Sequence, residues 1–309
     1  MKLIKHQSPL TLSVFSLAIF LPTSFATKAN QNSLWLGYTQ NESDYFGDGN
    51  SSIEPSGYNL GYSRILGDAW QISVGYGESD GKGRWPIVGF DALDLVDGAD
   101  TESKNISLGV SWVGDSFALS TVYSEAENTE RALTRIPTIA EIIVANDKVL
   151  SFSLDDFTEN QDWFFGWSLG LQYAENDFDN LQIFFVEPVT SVATRFDQTN
   201  WSFFAEADVG RDFVMDSFTI SPLLRLGWDW GISTSGDPLV LLTRGDERRL
   251  FTQFNDRFIS GYRIPDSGYW DLSVTFDWHN DWRTSVGYGR TISAPIATSS
   301  ITLDLSLDF

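Results

Sequence analysis

The sequence predicts an all-β fold: a twelve-stranded antiparallel β-barrel that crosses a membrane, with short turns at one rim and long loops at the other. Three observations predict it. The last nine residues alternate apolar and polar without a break and stop on an aromatic carboxyl terminus. The first 26 residues have the layout of a secretory leader. Between them lie many aromatics, many glycines and a surplus of acid, yet nothing approaching the ~20 consecutive apolar residues of a spanning helix.

The closing segment fixes the first element. Side chains along a strand point to opposite faces in turn, so Ile301, Leu303, Leu305, Leu307 and Phe309 share one face. Thr302, Asp304, Ser306 and Asp308 share the other. A membrane barrel needs this pattern, with lipid outside and water inside. The ending resembles the closing strand of bacterial outer-membrane barrels, whose terminal Phe is part of the signal read by the barrel-assembly machinery. That resemblance assigns an assembly role to Phe309.

The leader is read from its parts. Lys2 and Lys5 form a positive start, and Leu10 to Leu21 is an apolar run broken only by Thr11, Ser13 and Ser16. Pro22 follows, then Thr23-Ser24-Phe25-Ala26, with small residues where a signal peptidase reads. Cleavage is expected after Ala26, with Ala29 as the second choice. The chain therefore divides into a signal peptide, 1–26, and a barrel, 27–309, exported to the outer membrane of a Gram-negative bacterium. The chain has no Cys, which excludes a lipoprotein, disulfides and thiolate chemistry.

Composition narrows the function classes. Removing Lys2 and Lys5 leaves 18 of the 20 Lys+Arg against 42 Asp+Glu, a net charge of −24. So negative a surface repels phosphate, which argues against a nucleic-acid partner. Aromatics make up 15% of the chain, with 12 Trp, and 25 residues are Gly. These suit two aromatic girdles around a polar lumen.

Alternation and turn residues place strands near 33–42, 57–66, 69–79, 102–113, 115–126, 162–174, 180–188, 198–211, 216–231, 267–279, 282–293 and 298–309. Gly67-Asp68, Gly114-Asp115, Ala174 to Asn180, Arg211 to Asp216 and His279-Asn280-Asp281 are the short links, expected at the periplasmic rim. The longer links are 43–56, 80–101, 127–161, 189–197 and 232–266; 294–297 is a short one on the same side. Trp70, Trp112, Trp278 and Trp282 then lie beside the short turns, and Trp163, Trp201, Trp230 and Trp270 near the opposite ends. Within 127–161, the apolar stretch Ile136 to Val144 is expected as a short helix, an extra hairpin or a loop packed on itself.

The candidate chemistry lies inside the barrel. On these phases Glu206, Asp208, Asp229, Asp271, Asp277, Asp304 and Asp308 face the lumen, with Arg225 and Arg283. A narrow acidic bore would favour cations. A salt-bridged network that stiffens and plugs the barrel uses the same residues. In the loops, Asp91, Asp94, Asp97 and Asp100 recur every third residue, as either a solvated run or oxygen ligands for Ca²⁺. Arg244, Arg248 and Arg249 offer guanidinium forks for lipopolysaccharide or an anionic solute, or for acids of their own loop such as Asp246 and Glu247. His279 is the single His after the leader and sits in a short turn, where no Ser-His-acid arrangement forms around it. Neither an enzyme nor a cofactor is therefore expected.

Ser56-Gly57-Tyr58-Asn59-Leu60-Gly61-Tyr62-Ser63-Arg64-Ile65-Leu66-Gly67-Asp68-Ala69-Trp70, running into Gln71-Ile72-Ser73-Val74-Gly75-Tyr76-Gly77, resembles the second and third strands of autotransporter β-domains. That likeness implies a barrel that helps export its own amino-terminal passenger, with a helix crossing the bore. The chain departs from it at Thr27 to Asn32, which has room for neither a passenger nor a plug helix. The expected function is a passenger-less, autotransporter-like barrel acting as a narrow, cation-leaning, porin-like passive pore. A structural or surface-interaction barrel is the alternative, and a barrel lipase or protease stands third.

Overall fold

A computed structural model describes residues 32–45, 52–67, 69–84, 96–114, 117–134, 139–160, 162–185, 188–251, 266–278, 281–292 and 296–309. Twelve long strands form the wall. They are β1 (Asn32–Tyr45), β2 (Ser52–Leu66), β3 (Trp70–Arg84), β4 (Val96–Val113), β5 (Phe117–Thr134), β6 (Ile139–Asn160), β7 (Trp163–Phe184), β8 (Thr190–Arg211), β10 (Thr219–Arg244), β12 (Ser267–Asp277), β13 (Trp282–Ile292) and β14 (Ile296–Asp308). Two short strands, β9 (Phe213–Val214) and β11 (Glu247–Phe251), pair with the base and the top of β10. Every long strand is antiparallel to both neighbours, and the ring closes because β14 pairs with β1 from Ser33↔Asp308 to Tyr45↔Ile296. Closure removes the sheet edges that lipid could not satisfy. Reciprocal backbone bonds of 2.9 Å between Asn32 and Phe309 seal the seam at the short-turn rim.

The outer surface is apolar because alternation sends one row of each strand outward. Ile301, Leu303 and Leu305 are exposed on β14, and Phe309 just after it, as are Leu272 on β12, Leu226 and Trp228 on β10, and Leu169 and Leu171 on β7. The intervening residues point inward. The short links at one rim are 67–69, 114–116, 161–162, 212–218 and 278–281. Gly67, at φ 63°, takes the left-handed conformation its turn needs.

The strand count is twelve, but one strand differs from expectation. Residues 139–160, expected within a loop, form β6. The segments 162–174 and 180–188 are not two strands but one, β7, so the link expected from Ala174 to Asn180 is mid-strand. The short turn lies instead at 161–162, which puts Trp163 at the short-turn rim rather than the opposite one. The cause is height. β6, β7 and β8 each have 22 residues and β10 has 26, against 11 in β12 and β13. At ~3.3 Å per residue and ~40° tilt, 22 residues rise about 55 Å, twice the ~25 Å apolar band. Above that band the outer face meets water and loses its apolar row, while the inner face stays buried around Asn176, Phe178 and Phe196. Glu175, Asp177 and Asp179 point outward there and Asn176 and Asn180 inward, a composition that mimics a turn.

Candidate functional site

Register brings the interior charges together. Arg225 on β10 lies opposite Asp208 on β8 and Asp271 on β12, and Gly227 lies opposite Glu206 and Tyr269. Arg225 Nε donates to Asp208 Oδ1 at 2.8 Å and Nη2 to Asp208 Oδ2 at 3.3 Å, a bidentate pair. Arg225 Nε also stands 3.8 Å from Glu206 Oε2, and Glu206 accepts the Tyr269 hydroxyl. Asp229 continues the row on β10, and its Oδ1 is buried without a hydrogen-bond partner. Glu206, Asp208 and Asp271 thus surround a single guanidinium, and Asp229 stands beyond it with no cation against it among the described residues.

A second cluster ties the seam. Arg283 Nη2 donates to Asp308 Oδ2 at 2.5 Å, and Ser33 Oγ donates to Asp308 Oδ1 at 2.5 Å, so Asp308 links β13, β14 and β1. Asp277 lies opposite Arg283 in register. Asp304 accepts from Ser285 Oγ at 3.4 Å.

Glycines shape this interior. A Cβ on Gly227 would meet the Tyr269 ring at 2.2 Å, one on Gly61 the Trp35 ring at 1.8 Å, and one on Gly170 the Phe204 ring at 2.2 Å. Each ring lies flat over a glycine of the next strand, a packing device of curved sheets. Inward Trp35, Phe164, Phe204 and Tyr269 narrow the lumen. Each occupies the polar phase of its strand, opposite a glycine of the neighbouring strand.

A third network lies higher, on the inner face of the tall wall. Asn128 Nδ2 and Asn176 Nδ2 donate to Asp147 at 2.8 and 2.7 Å. Asn200 Nδ2 donates to Asn176 Oδ1 at 2.9 Å, and Gln198 Nε2 and Thr234 Oγ1 donate to Asn200 Oδ1 at 2.9 and 2.8 Å. This ladder ties five strands, β5 to β8 and β10. Asp147 stands three residues above Leu150, which lies opposite Tyr173 at the upper aromatic level, and so outside the apolar band. Burial holds its carboxyl above the usual range, against the lowering effect of its two amide donors.

Two aromatic levels bracket the apolar band. Near the short-turn rim sit Trp70 opposite Trp112, and Trp163, Trp278 and Trp282. Higher up, Tyr173 packs 4.9 Å from Trp201, Phe203 5.5 Å from Trp230, and Trp270 5.4 Å from Tyr288.

No protein-family model and no curated protein matches the chain by sequence. Solved structures do match it in fold. The translocator domain of the autotransporter NalP from Neisseria meningitidis superposes with a TM-score of 0.62 at 11% identity, over 93% of this chain and 91% of that one. The β-domain of the Bordetella autotransporter BrkA gives 0.60 at 12% identity, over 89% and 98%. The chain has the autotransporter translocator fold. The transport unit of AIDA-I from Escherichia coli also matches, at 0.51 and 12% identity, over 94% and 93%.

Asp91, Asp94 and His279 lie outside the described residues, and Asp97 is described only as backbone in β4. Among the described residues no three His, Cys, Asp or Glu side chains are grouped to hold a metal ion. Arg244 ends β10, and Arg248 and Arg249 sit on β11, all exposed. Arg249 Nη2 stands 3.9 Å from Glu247 of its own hairpin. Alternation sends Arg248 and Arg249 to opposite faces, so the three guanidiniums do not form one fork.

Proposed function

We propose that the chain is an outer-membrane barrel acting as a narrow, cation-leaning passive pore, exported by a leader cleaved after Ala26. The observation that carries this reading is the interior acid surplus around Arg225. Asp208 neutralises that one cation, leaving Glu206, Asp229 and Asp271 to set the sign of the field in the bore. Fixed acids lining a narrow bore attract cations and repel anions. The reading assigns the described interior acids to the field of the bore and includes no enzyme and no cofactor. Phe309 belongs to the signal read by the assembly machinery. Arg244, Arg248 and Arg249 contact lipopolysaccharide on the cell surface, and Asp91, Asp94 and Asp97 offer oxygen ligands for Ca²⁺.

Refolded protein in a planar bilayer under a salt gradient tests the pore. A reversal potential of cationic sign is expected, and Asp229→Asn together with Asp271→Asn should move it toward zero. The absence of any ion-selective current from folded barrels would reject the pore. A specific observation favours a second reading, a structural or surface-interaction barrel: Trp35, Phe164, Phe204 and Tyr269 project inward while a tall polar wall rises above the apolar band. That reading expects folded barrels without conductance.

A further inference from the structure

The outward face of the short-turn rim holds a guanidinium that the fold leaves only partly used. Arg211 ends β8 opposite Trp163, the first residue of β7. Its guanidinium carbon lies 5.4 Å from the centre of the Trp163 ring and 5.0 Å from that of Phe213. Two aromatic faces therefore fix the plane of the fork. Its Nε is buried and has no hydrogen-bond partner. Among the described residues its ion pair is with Asp162, whose Oδ2 is 3.6 Å from Nη2, beyond hydrogen-bonding distance. Asp162 is itself 62% exposed, so its carboxylate is open to a second partner. The backbone bond from Asp212 N to Asp162 O, 2.8 Å, locks the two turns that carry the pair. Val214, 74% exposed, and Met215 stand beside them with no apolar cover, at the level where acyl chains meet headgroups.

We propose that Arg211 and Asp162 bind the headgroup of a phosphoethanolamine lipid in the periplasmic leaflet. A cation and an anion a few ångströms apart match a headgroup that carries a phosphate and an ammonium. The Arg211 fork takes the phosphate, Asp162 takes the ammonium, and Phe213, Val214 and Met215 lie against the upper acyl chains. A lipid with phosphate but no ammonium would use Arg211 alone. This inference rests on the outer-membrane reading and not on the pore.

Native mass spectrometry of folded protein from mixed micelles tests it, with folding of each sample first checked by heat-modifiable gel migration. That check separates a failure of the barrel from a failure of the site. With phosphatidylethanolamine and phosphatidylglycerol at equal concentration, the wild type is expected to retain phosphatidylethanolamine preferentially. Arg211→Ala should lower the binding of both lipids about tenfold, the loss expected for charge-assisted hydrogen bonds. Asp162→Asn should remove the preference and leave phosphatidylglycerol binding intact. Soluble glycerophosphoethanolamine should compete poorly, because it lacks the acyl chains. Equal lipid binding by wild type and Arg211→Ala would overturn the proposal. So would a preference that survives Asp162→Asn, or full competition by the soluble headgroup.

Discussion

Replacing Arg225 with Met is the sharpest perturbation of the interior. The side chain is similar in length but loses its charge and all its donors. Two hydrogen bonds to Asp208, at 2.8 and 3.3 Å, disappear, together with the 3.8 Å ion pair to Glu206. The three side chains are 24%, 21% and 24% exposed, too little for water to replace the lost partner in full. Removing one member of a buried ion pair costs about 3–5 kcal/mol, because the remaining charge is left uncompensated. Asp208→Asn on top of Arg225→Met should recover at least half of that loss, since the stranded charge goes with its partner. Urea unfolding of the refolded barrel in detergent micelles, followed by Trp fluorescence, measures both steps. A loss below about 1 kcal/mol in the single variant, or strictly additive losses in the double, would refute the claim that Arg225 neutralises Asp208.

Leu303→Arg places a cation on the outward face at mid-strand and should destabilise the folded barrel in bilayers by about 2–4 kcal/mol, read by chemical unfolding from vesicles. Gly61→Val drives a side chain into the Trp35 ring and should cost about 1–3 kcal/mol by the same assay, with Trp35→Ala restoring part of it. Asp147 is protonated more readily in the folded wall than in the unfolded chain, so it favours folding at low pH. Its contribution is lost as pH rises from about 4, the ordinary carboxylate value, through the raised native one. Hydrogen exchange of β6 and β7 amides above Leu150 should show tighter protection at the acid end of that window, and Asp147→Asn should abolish the dependence.

What could be read in the chain depended on what each face of a strand touches. β14, β12 and β4 were legible because lipid on one side and water on the other impose strict alternation: Trp270-Asp271-Leu272-Ser273-Val274 can be phased by eye. β6 was not, because Ile142, Ile143, Val144 and Ala145 run consecutively and lie above the lipid, where neither face is required to be apolar. The same wetness made Ala174 to Asn180 look like a turn. The phases of the interior acids on β8, β10, β12 and β14 came from the legible strands, and the structure gives those residues their neighbours. Which acid Arg225 would choose was not legible, because it is set by the register of β10 against β8 and β12, which the sequence pattern alone does not fix. Trp35, Phe164, Phe204 and Tyr269 were passed over because an aromatic in the polar phase has meaning only once its glycine partner on the next strand is known.

A barrel in a membrane requires lipid to touch the odd-numbered residues of β14 and water the even-numbered ones. The chain has no native Cys, so single spin labels can be placed at each position from 301 to 307 of the reconstituted barrel. Collision with oxygen should peak at 301, 303, 305 and 307, and collision with a water-soluble nickel chelate at 302, 304 and 306. A profile without that two-residue period, or one with the chelate reaching 303 and 305, would contradict it.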